Sequence, residues 1–386
     1  MEIITTSNQL KDYCKEIEKY PFITVDTEFL REKTYFAQLC LIQVSTPDYE
    51  TDKSGQAIID PLSDIDLSPF FEILKNKNII KVFHSASQDI EIFYNLMNEM
   101  PVNIFDTQIG AMAIGIGEQI GYEAIVNKVC KITIDKGARY TDWSKRPLTD
   151  KQLDYAIKDT TYLVEVYKYI IKRIEDKNRM SWISEEMDKI NNEYSYKIIP
   201  ENTYKKIKFR TNKPVVLANM REVSAWRETK AIEKNIPKRH YMKDETIIDI
   251  SSNNITNEKQ LIATRNFPKG WIGTDKVNEI LSMLDKVRNM DKSDYPEIKK
   301  QEPINNGGKA VADLLRSLLK ECGEEHNVSV ALIAKSSDID DFVKDHNNSP
   351  LLQSWKKEIF GDKALDLKNG KIALCVKDNQ LTFIDV

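Results

Sequence analysis

The chain has 386 residues, 41% of them hydrophobic and 30% charged, and carries a formal net charge of −4. That length calls for more than one hydrophobic core, and no apolar run approaches the roughly 20 residues a membrane-spanning helix needs. The acidic balance also excludes attachment to nucleic acid through bulk positive charge, so such affinity has to come from local basic patches or from cations that neutralise phosphate.

In chain order, Met1 to Thr6 has no basic region leading into an apolar one, so no secretory signal is expected. The first stretch reads as a short strand and a helix with Leu10, Tyr13, Cys14 and Ile17 at helical spacing. Phe22-Ile23-Thr24-Val25-Asp26-Thr27-Glu28-Phe29 then reads as a buried strand, an apolar β-branched run with two carboxylates near its end. Residues i and i+2 of a strand share a face, so Asp26 and Glu28 project together. Two like charges beside an apolar core are costly unless a cation or a proton offsets the repulsion. Ala37 to Ser45 and Gln56 to Pro61 are further strand candidates, and the short loops between them predict an antiparallel meander. The pattern then alternates: helix from Phe70 to Asn76, strand from Ile79 to His84, helix from Gln88 to Met97, short strand from Asn103 to Thr107. That order predicts a mixed sheet with helices on its faces.

A third acid, Asp89, falls just after the Val82 strand. Ser85 or Ser87 is the expected N-cap, which puts Asp89 in a first turn where the helix dipole favours negative charge. An acid there is ordinary helix chemistry, but the C-terminal ends of strands are also where sites in α/β sheets collect. A fourth acid, Asp159, lies one turn from Tyr155 on a helix that Thr149 is expected to cap. A core aromatic and a salt-bridging acid explain this pair equally well when it is taken alone. As a set, four carboxylates without a histidine or cysteine cluster suit Mg²⁺ or Mn²⁺ better than Zn²⁺. Phosphodiester hydrolysis uses such a set to hold two cations about 3.5–4 Å apart, and a neighbouring phenol can orient the attacking water.

Beyond Asp159 a long helical pattern runs from Tyr162 to about Ile190, and Pro200 marks a break. Val215 to Ile232 and Thr274 to Arg288 read as amphipathic helices, with short helical pieces over 246–250 and 257–263. Lys230, Lys234, Lys238, Arg239 and Lys243 lie near Trp226 and Tyr241, a mixture that suits phosphate contact with base stacking. A core tryptophan beside a solvated basic face produces the same pattern. Residues 291–308, with Pro296, Pro303 and Asn305-Asn306-Gly307-Gly308, read as a linker. Helical spacing returns over 309 to about 370, followed by a hairpin-like tail in Lys371–Lys377 and Leu381–Ile384. The five cysteines (Cys14, Cys40, Cys130, Cys322, Cys375) are scattered, odd in number and without C-x-x-C spacing. This argues against a zinc site or disulfide framework and fits a reducing cytoplasm.

Val25-Asp26-Thr27-Glu28-Phe29, Asp89 within His84-Ser85-Ala86-Ser87-Gln88-Asp89, and Tyr155-Ala156-Ile157-Lys158-Asp159 resemble the three motifs of the DEDD exonuclease superfamily. Tyr155, four residues before Asp159, indicates the tyrosine-bearing (DEDDy) branch; the other branch has a histidine where this chain has Asp154. The stretches Arg31–Leu39, Phe105–Gln108 and Asp142–Leu148 resemble the ribonuclease D family in particular. This resemblance implies an α/β fold: an RNase H-like mixed-sheet exonuclease domain over residues 1–200, then all-α HRDC-like modules. The first module would cover 210–290, where Arg221–Ala231 and Lys238–Glu245 carry the likeness. The linker 291–308 would lead to a second, divergent module with a small tail over 309–386.

The resemblance further implies that Asp26, Glu28, Asp89 and Asp159 hold two divalent cations, Mg²⁺ or Mn²⁺, and that Tyr155 positions the nucleophilic water. The implied reaction is hydrolysis of RNA from the 3′ end to nucleoside 5′-monophosphates, notably in 3′ maturation of tRNA precursors, in the cytoplasm, with no membrane and no protein partner implied. RNA contacts are expected at Thr27, Phe29, His84 and Gln108 and, in the helical module, at Trp226, Lys230, Lys238 and Arg239. Two alternatives stand beside this reading. One is a DNA 3′-5′ exonuclease of proofreading or repair type, which would use the same acids. The other is a non-catalytic nucleic-acid-binding module, which would be expected to have lost at least one acid. No P-loop is present, so helicase activity is not supported.

Overall fold

A computed structural model describes residues 2–48, 55–135, 137–298, 304, 306–378 and 380–386. The expected 291–308 linker lies in part outside them, Pro303 and Asn305 included. Contact density divides the chain into two compact units: residues 1–29, 39–195 and 302–386 form one, and residues 30–38 and 196–301 the other. The C-terminal helical segment therefore shares a unit with the strands that carry the acids, where a third consecutive domain was expected.

The first unit begins with β1 (Glu2–Ile4) and α1 (Ser7–Ile17), which Thr6 and Gln9 start with a reciprocal capping box. Then come β2 (Phe22–Leu30), β3 (Gln38–Ser45), β4 (Gln56–Ile59), α2 (Ser68–Lys75), β5 (Ile80–Phe83), α3 (Ser87–Met97) and β6 (Ile104–Asp106). The strands form one mixed sheet in the order β1-β4-β3-β2-β5-β6. β3 pairs antiparallel with β4, whereas β1–β4, β2–β5 and β5–β6 are parallel. β2 is interior to the sheet, and its first four residues are all buried. Such a strand, covered on both faces, reads as a continuous apolar run without polar alternation.

Four helices complete the frame of the site: α4 (Thr107–Ala113), α5 (Tyr122–Cys130), α6 (Asp150–Asp176) and α7 (Met180–Ile190). α6 starts at the Thr149–Gln152 capping box. The expected single helix through Ile190 is two helices. Asn178 takes a left-handed φ of 53°, which asparagine tolerates, and the next side chain, Arg179, turns into the protein. Its guanidinium donates to the carbonyls of Ala113 (2.8 Å), Asn327 (3.1 Å) and His326 (2.5 Å). The C-terminal segment contributes the helices Asn306–Glu325 and Ser336–Lys344 and a helical run from Ser354 to Lys368 whose middle, Lys357–Gly361, is π-helical. A side chain at Gly361 would collide with the Leu351 carbonyl oxygen, so only glycine fits there. Strands Ile372–Lys377 and Gln380–Asp385 pair as a terminal hairpin.

The second unit is helical. Its elements are a 3₁₀ turn (Pro200–Lys206), α8 (Pro214–Glu233) and shorter helices over Lys238–Tyr241, Asp244–Ser252, Glu258–Ile262 and Asp275–Arg288. Val216, Met220, Val223, Ile247, Ile280 and Leu284 close its core. Among the described residues no helix is long and apolar enough to cross a membrane.

Candidate active site

Three elements deliver the acids to one cleft of about 560 Å³ in the first unit. β2 supplies Asp26 and Glu28 from its C-terminal half, α3 supplies Asp89 from its first turn, and α6 supplies Asp159. Ligand oxygens of Asp26, Glu28 and Asp159 lie within 4.8 Å of one another. Asp89 sits beside them behind Thr27, whose hydroxyl donates to Asp89 Oδ1 (2.5 Å).

The register between β2 and α6 is fixed by small polar side chains next to the acids. Thr24 Oγ1 bonds the Thr160 carbonyl (2.9 Å) and the Ser45 carbonyl (3.2 Å), while Ser45 Oγ lies 2.9 Å from Thr160 Oγ1. All three residues are fully buried. Buried polar groups that are satisfied in this way hold one arrangement, here the separation of Asp26 from Asp159.

The turn into α3 differs from expectation. Ala86 occupies the N-cap position without a side-chain bond, and neither Ser85 nor Ser87 caps. Asp106, the N-cap of α4, instead pins the residues leading into α3: its carboxylate accepts the backbone N–H groups of Ser85 (3.0 Å) and Ala86 (2.9 Å) as well as that of Gln108 (2.8 Å). Ser85 consequently holds a left-handed φ of 63° at the cleft wall.

Electrostatically the centre is a knot of like charges removed from water. Burial pushes the Glu28 carboxyl up to about 10, and Asp26, Asp159 and Asp89 push in the same direction. Burial raises Asp159 to about 7, although the Tyr155 hydroxyl bonds its carboxylate and opposes the rise. Asp26 and Asp89 are raised well above the ordinary carboxylate range, first by burial and then by a neighbouring acid. Tyr155 is raised too, by burial and by Asp159, Glu28 and Asp26, so its phenol stays protonated and donates. Trp143, itself buried, packs against the Tyr155 ring at 6.2 Å between centroids.

Thr27, Phe29, His84 and Gln108 line the same cleft. His84 is held by both nitrogens, with Nε2 2.9 Å from the Ile120 carbonyl and Nδ1 2.9 Å from Thr107 Oγ1, and burial lowers its pKa. Gln108 Nε2 donates to the same Ile120 carbonyl (3.1 Å). The four residues expected from the helical module belong to the second unit and do not line this cleft. Trp226 is a packed aromatic there, 5.6 Å from the Tyr241 ring and 5.5 Å from Trp271, with its N–H given to Glu279. It is half-buried and packs against the core of the unit. Lys230 pairs with Glu233 (3.2 Å), Lys238 with Glu228 (3.2 Å), and Arg239 lies near Glu245 (3.5 Å) and Asp244 (3.9 Å).

Sequence reasoning missed Tyr122, Glu123, Arg139 and Tyr140, which also line the cleft. Arg139 is a cation whose charge opposes, without reversing, the rise in the pKa values of Glu28, Tyr155 and Asp159. Its loop is fixed at one end by Arg146, which pairs bidentately with Asp60 (2.6 Å to each oxygen) and donates to the Cys40 carbonyl (2.8 Å). Closer to Arg139 on the same side, Gln152 donates to Thr141 (3.1 Å).

A mixed sheet that converges acids from a central strand and two helices on a phenol-lined cleft defines a 3′-5′ exonuclease. The family model for 3′-5′ exonucleases matches residues 1–175, and the HRDC domain model matches residues 216–284. Ribonuclease D of Jannaschia sp. is 39% identical over 99% of both chains, and that of Sphingobium indicum is 38% identical over 98% of this chain and 97% of its own. The crystal structure of Escherichia coli RNase D, described as an exoribonuclease involved in structured RNA processing, superposes with a TM-score of 0.79 at 26% identity and covers 95% of this chain and 98% of that one. The chain belongs to the ribonuclease D family. It is a 3′-5′ exoribonuclease.

Proposed function

We propose that this exoribonuclease removes 3′ nucleotides from structured RNA, tRNA precursors among them, with two divalent cations, Mg²⁺ or Mn²⁺, held by Asp26, Glu28, Asp89 and Asp159. The observation that carries the reading is the packing of three carboxylates within 4.8 Å, Asp159 buried and Asp26 and Glu28 half-buried, where desolvation raises the pKa values of all three and neighbouring acids add to the rise at Asp26 and Glu28. Four hard oxygen donors fit Mg²⁺ or Mn²⁺, and protons or cations are the partners that relieve such a centre. When bound, the ions supply charge neutralisation of the phosphodiester and acidify water.

The side chains have separate tasks. Tyr155, its O–H given to Asp159 and its ring buttressed by Trp143, offers a fixed phenol oxygen that accepts from the water and orients it towards the terminal phosphorus. Attack forms the new P–O bond and breaks the bond to the 3′-oxygen of the preceding nucleotide, which leaves with a proton from solvent, releasing a nucleoside 5′-monophosphate. Arg139 faces the acids across the cleft and offsets phosphate charge. Thr27, Phe29, His84 and Gln108 form the walls against which the terminal nucleotide is held. The structured-RNA role of the E. coli relative supports the substrate class. The five free cysteines, three of them buried, support a reducing cytoplasm.

The test is a time course on 5′-labelled structured RNA and matching DNA with Mg²⁺, Mn²⁺ or EDTA. The expected result is a ladder shortening from the 3′ end on RNA, silent in EDTA, with Asp26→Asn losing hydrolysis while still binding RNA. Normal turnover by Asp26→Asn would remove the metal assignment.

A further inference from the structure

We propose that residues 205–213 form a cationic strap that binds the phosphate backbone of single-stranded RNA, with Phe209 as its stacking side chain. The strap lies between the two stretches matched by family models, residues 1–175 and 216–284, and none of its residues lines the catalytic cleft. Residues 202–221 contain Lys205, Lys206, Lys208, Arg210, Lys213 and Arg221 and no acid, in a chain whose net charge is −4.

The strap is anchored, and its charges face solvent. Thr203, buried, donates to the Pro200 carbonyl (2.7 Å) and lies 3.3 Å from Ser224 Oγ, and Ile207 enters the helical core. Around those two anchors Lys205, Lys206, Lys208, Arg210 and Lys213 are all exposed, and Phe209 is 37% exposed. Lys205 donates to the Asn202 side chain (2.7 Å) and lies over the Tyr204 ring. Among the described residues, none of the five is within ion-pair distance of a carboxylate. Elsewhere in the unit Lys230, Lys238, Arg239, Lys286 and Arg288 each have an acidic neighbour, and exposed cations that lack one, such as Lys234 and Lys259, stand singly and not in an acid-free run.

Five unpaired cations on a fixed backbone repel one another, and the repulsion is relieved by an extended polyanion whose charges recur along its length. A groove-tracking cationic surface with an aromatic for a base is the chemistry that holds single strands without sequence preference. The inference rests on the RNA substrate of the family, and it adds a site that the family's catalytic residues do not supply.

The test uses the full chain carrying Lys205→Gln, Lys206→Gln, Lys208→Gln and Arg210→Gln together. Binding of a long unstructured RNA is followed by anisotropy in EDTA across a salt series, and hydrolysis of a tetranucleotide is followed with Mg²⁺. The expected result is weaker binding of the long RNA, with a plot of log K against log salt shallower by about 3, roughly 0.7 for each lost phosphate contact. Tetranucleotide hydrolysis and the melting temperature stay unchanged. Phe209→Ala should weaken the long RNA about tenfold with the salt slope intact, the range of one base–aromatic stack. Unchanged long-RNA affinity and slope in the quadruple variant would overturn the strap, whereas absence of tetranucleotide hydrolysis in the parent chain would overturn the catalytic reading.

Discussion

The two helical regions of this chain are built from similar amphipathic material and find different partners. Between Pro214 and Arg288 the apolar faces close on one another, with Trp226, Tyr241 and Trp271 as an aromatic centre. Between Asn306 and Lys368 they do not. Leu315, Leu318, Phe342 and Phe360 belong to the same buried cluster as Phe105, Tyr167 and Ile170, which lie among the sheet and α6. Polar contacts repeat the difference. Arg179 reaches the carbonyls of His326 and Asn327, and Trp182 stacks on Trp355 at 4.5 Å with their planes 9° apart. Lys356 pairs with Glu185 (3.1 Å). One region is a module with its own core, and the other is part of the wall of the catalytic unit. Periodicity tells that a helix buries a face; it does not tell against what.

The largest effects test that contrast. Phe360→Ala, at a fully buried position, should cost about 3–5 kcal/mol and lower the calorimetric transition that Mg²⁺ raises. Ile280→Ala, equally buried, should cost about 2–5 kcal/mol in the other transition and leave tetranucleotide hydrolysis intact. If both substitutions moved the Mg²⁺-sensitive transition alike, the two regions would not be independent. Arg179→Met removes donors from three carbonyls, and a loss of about 3 kcal/mol is expected from groups left unsatisfied, read by denaturant melting of the catalytic unit. Tyr155→Phe keeps all four carboxylates, so the Mg²⁺-induced rise in melting temperature should persist while kcat falls about a hundredfold, the loss typical of one oriented hydrogen-bonding group.

The acids were legible because their relations are local: two residues apart on a strand, four apart on a helix. The mixed sheet was legible for the same reason, since strand and helix periods change along the chain. What escaped depends on distant partners. The turn into α3 is pinned by Asp106, beyond the end of the helix, and Arg139 sits in an aperiodic loop that Arg146 ties down by gripping Asp60. The break between α6 and α7 follows from Arg179 turning inward to carbonyls over a hundred residues away. The basic residues around Trp226 fit either phosphate contact or a solvated basic face, and counting their pairs would have separated the two, since Lys230 and Glu233 stand three apart on one helix. The acid-free run over 202–221 needed only that count.

A pH dependence separates the acid centre from everything around it. Folded, Asp159 titrates at about 7 and Glu28 at about 10, pushed up first by burial; unfolded, both return to about 4. The folded chain therefore binds more protons than the unfolded one between those values, so stability falls as pH rises through the window. For Asp159 the window runs from about 4 to about 7. Cations compete with the same protons, so the rise in melting temperature on adding Mg²⁺ should grow between about pH 6 and about pH 8. The transition of the Pro214–Arg288 region should not respond. Glu28→Gln removes a carboxyl that has to take up a proton when the chain folds, so in EDTA it should raise the melting temperature of the catalytic transition and flatten its pH dependence while lowering activity. A variant that lost metal-free stability would mean that Glu28 holds the fold through contacts rather than straining it through charge.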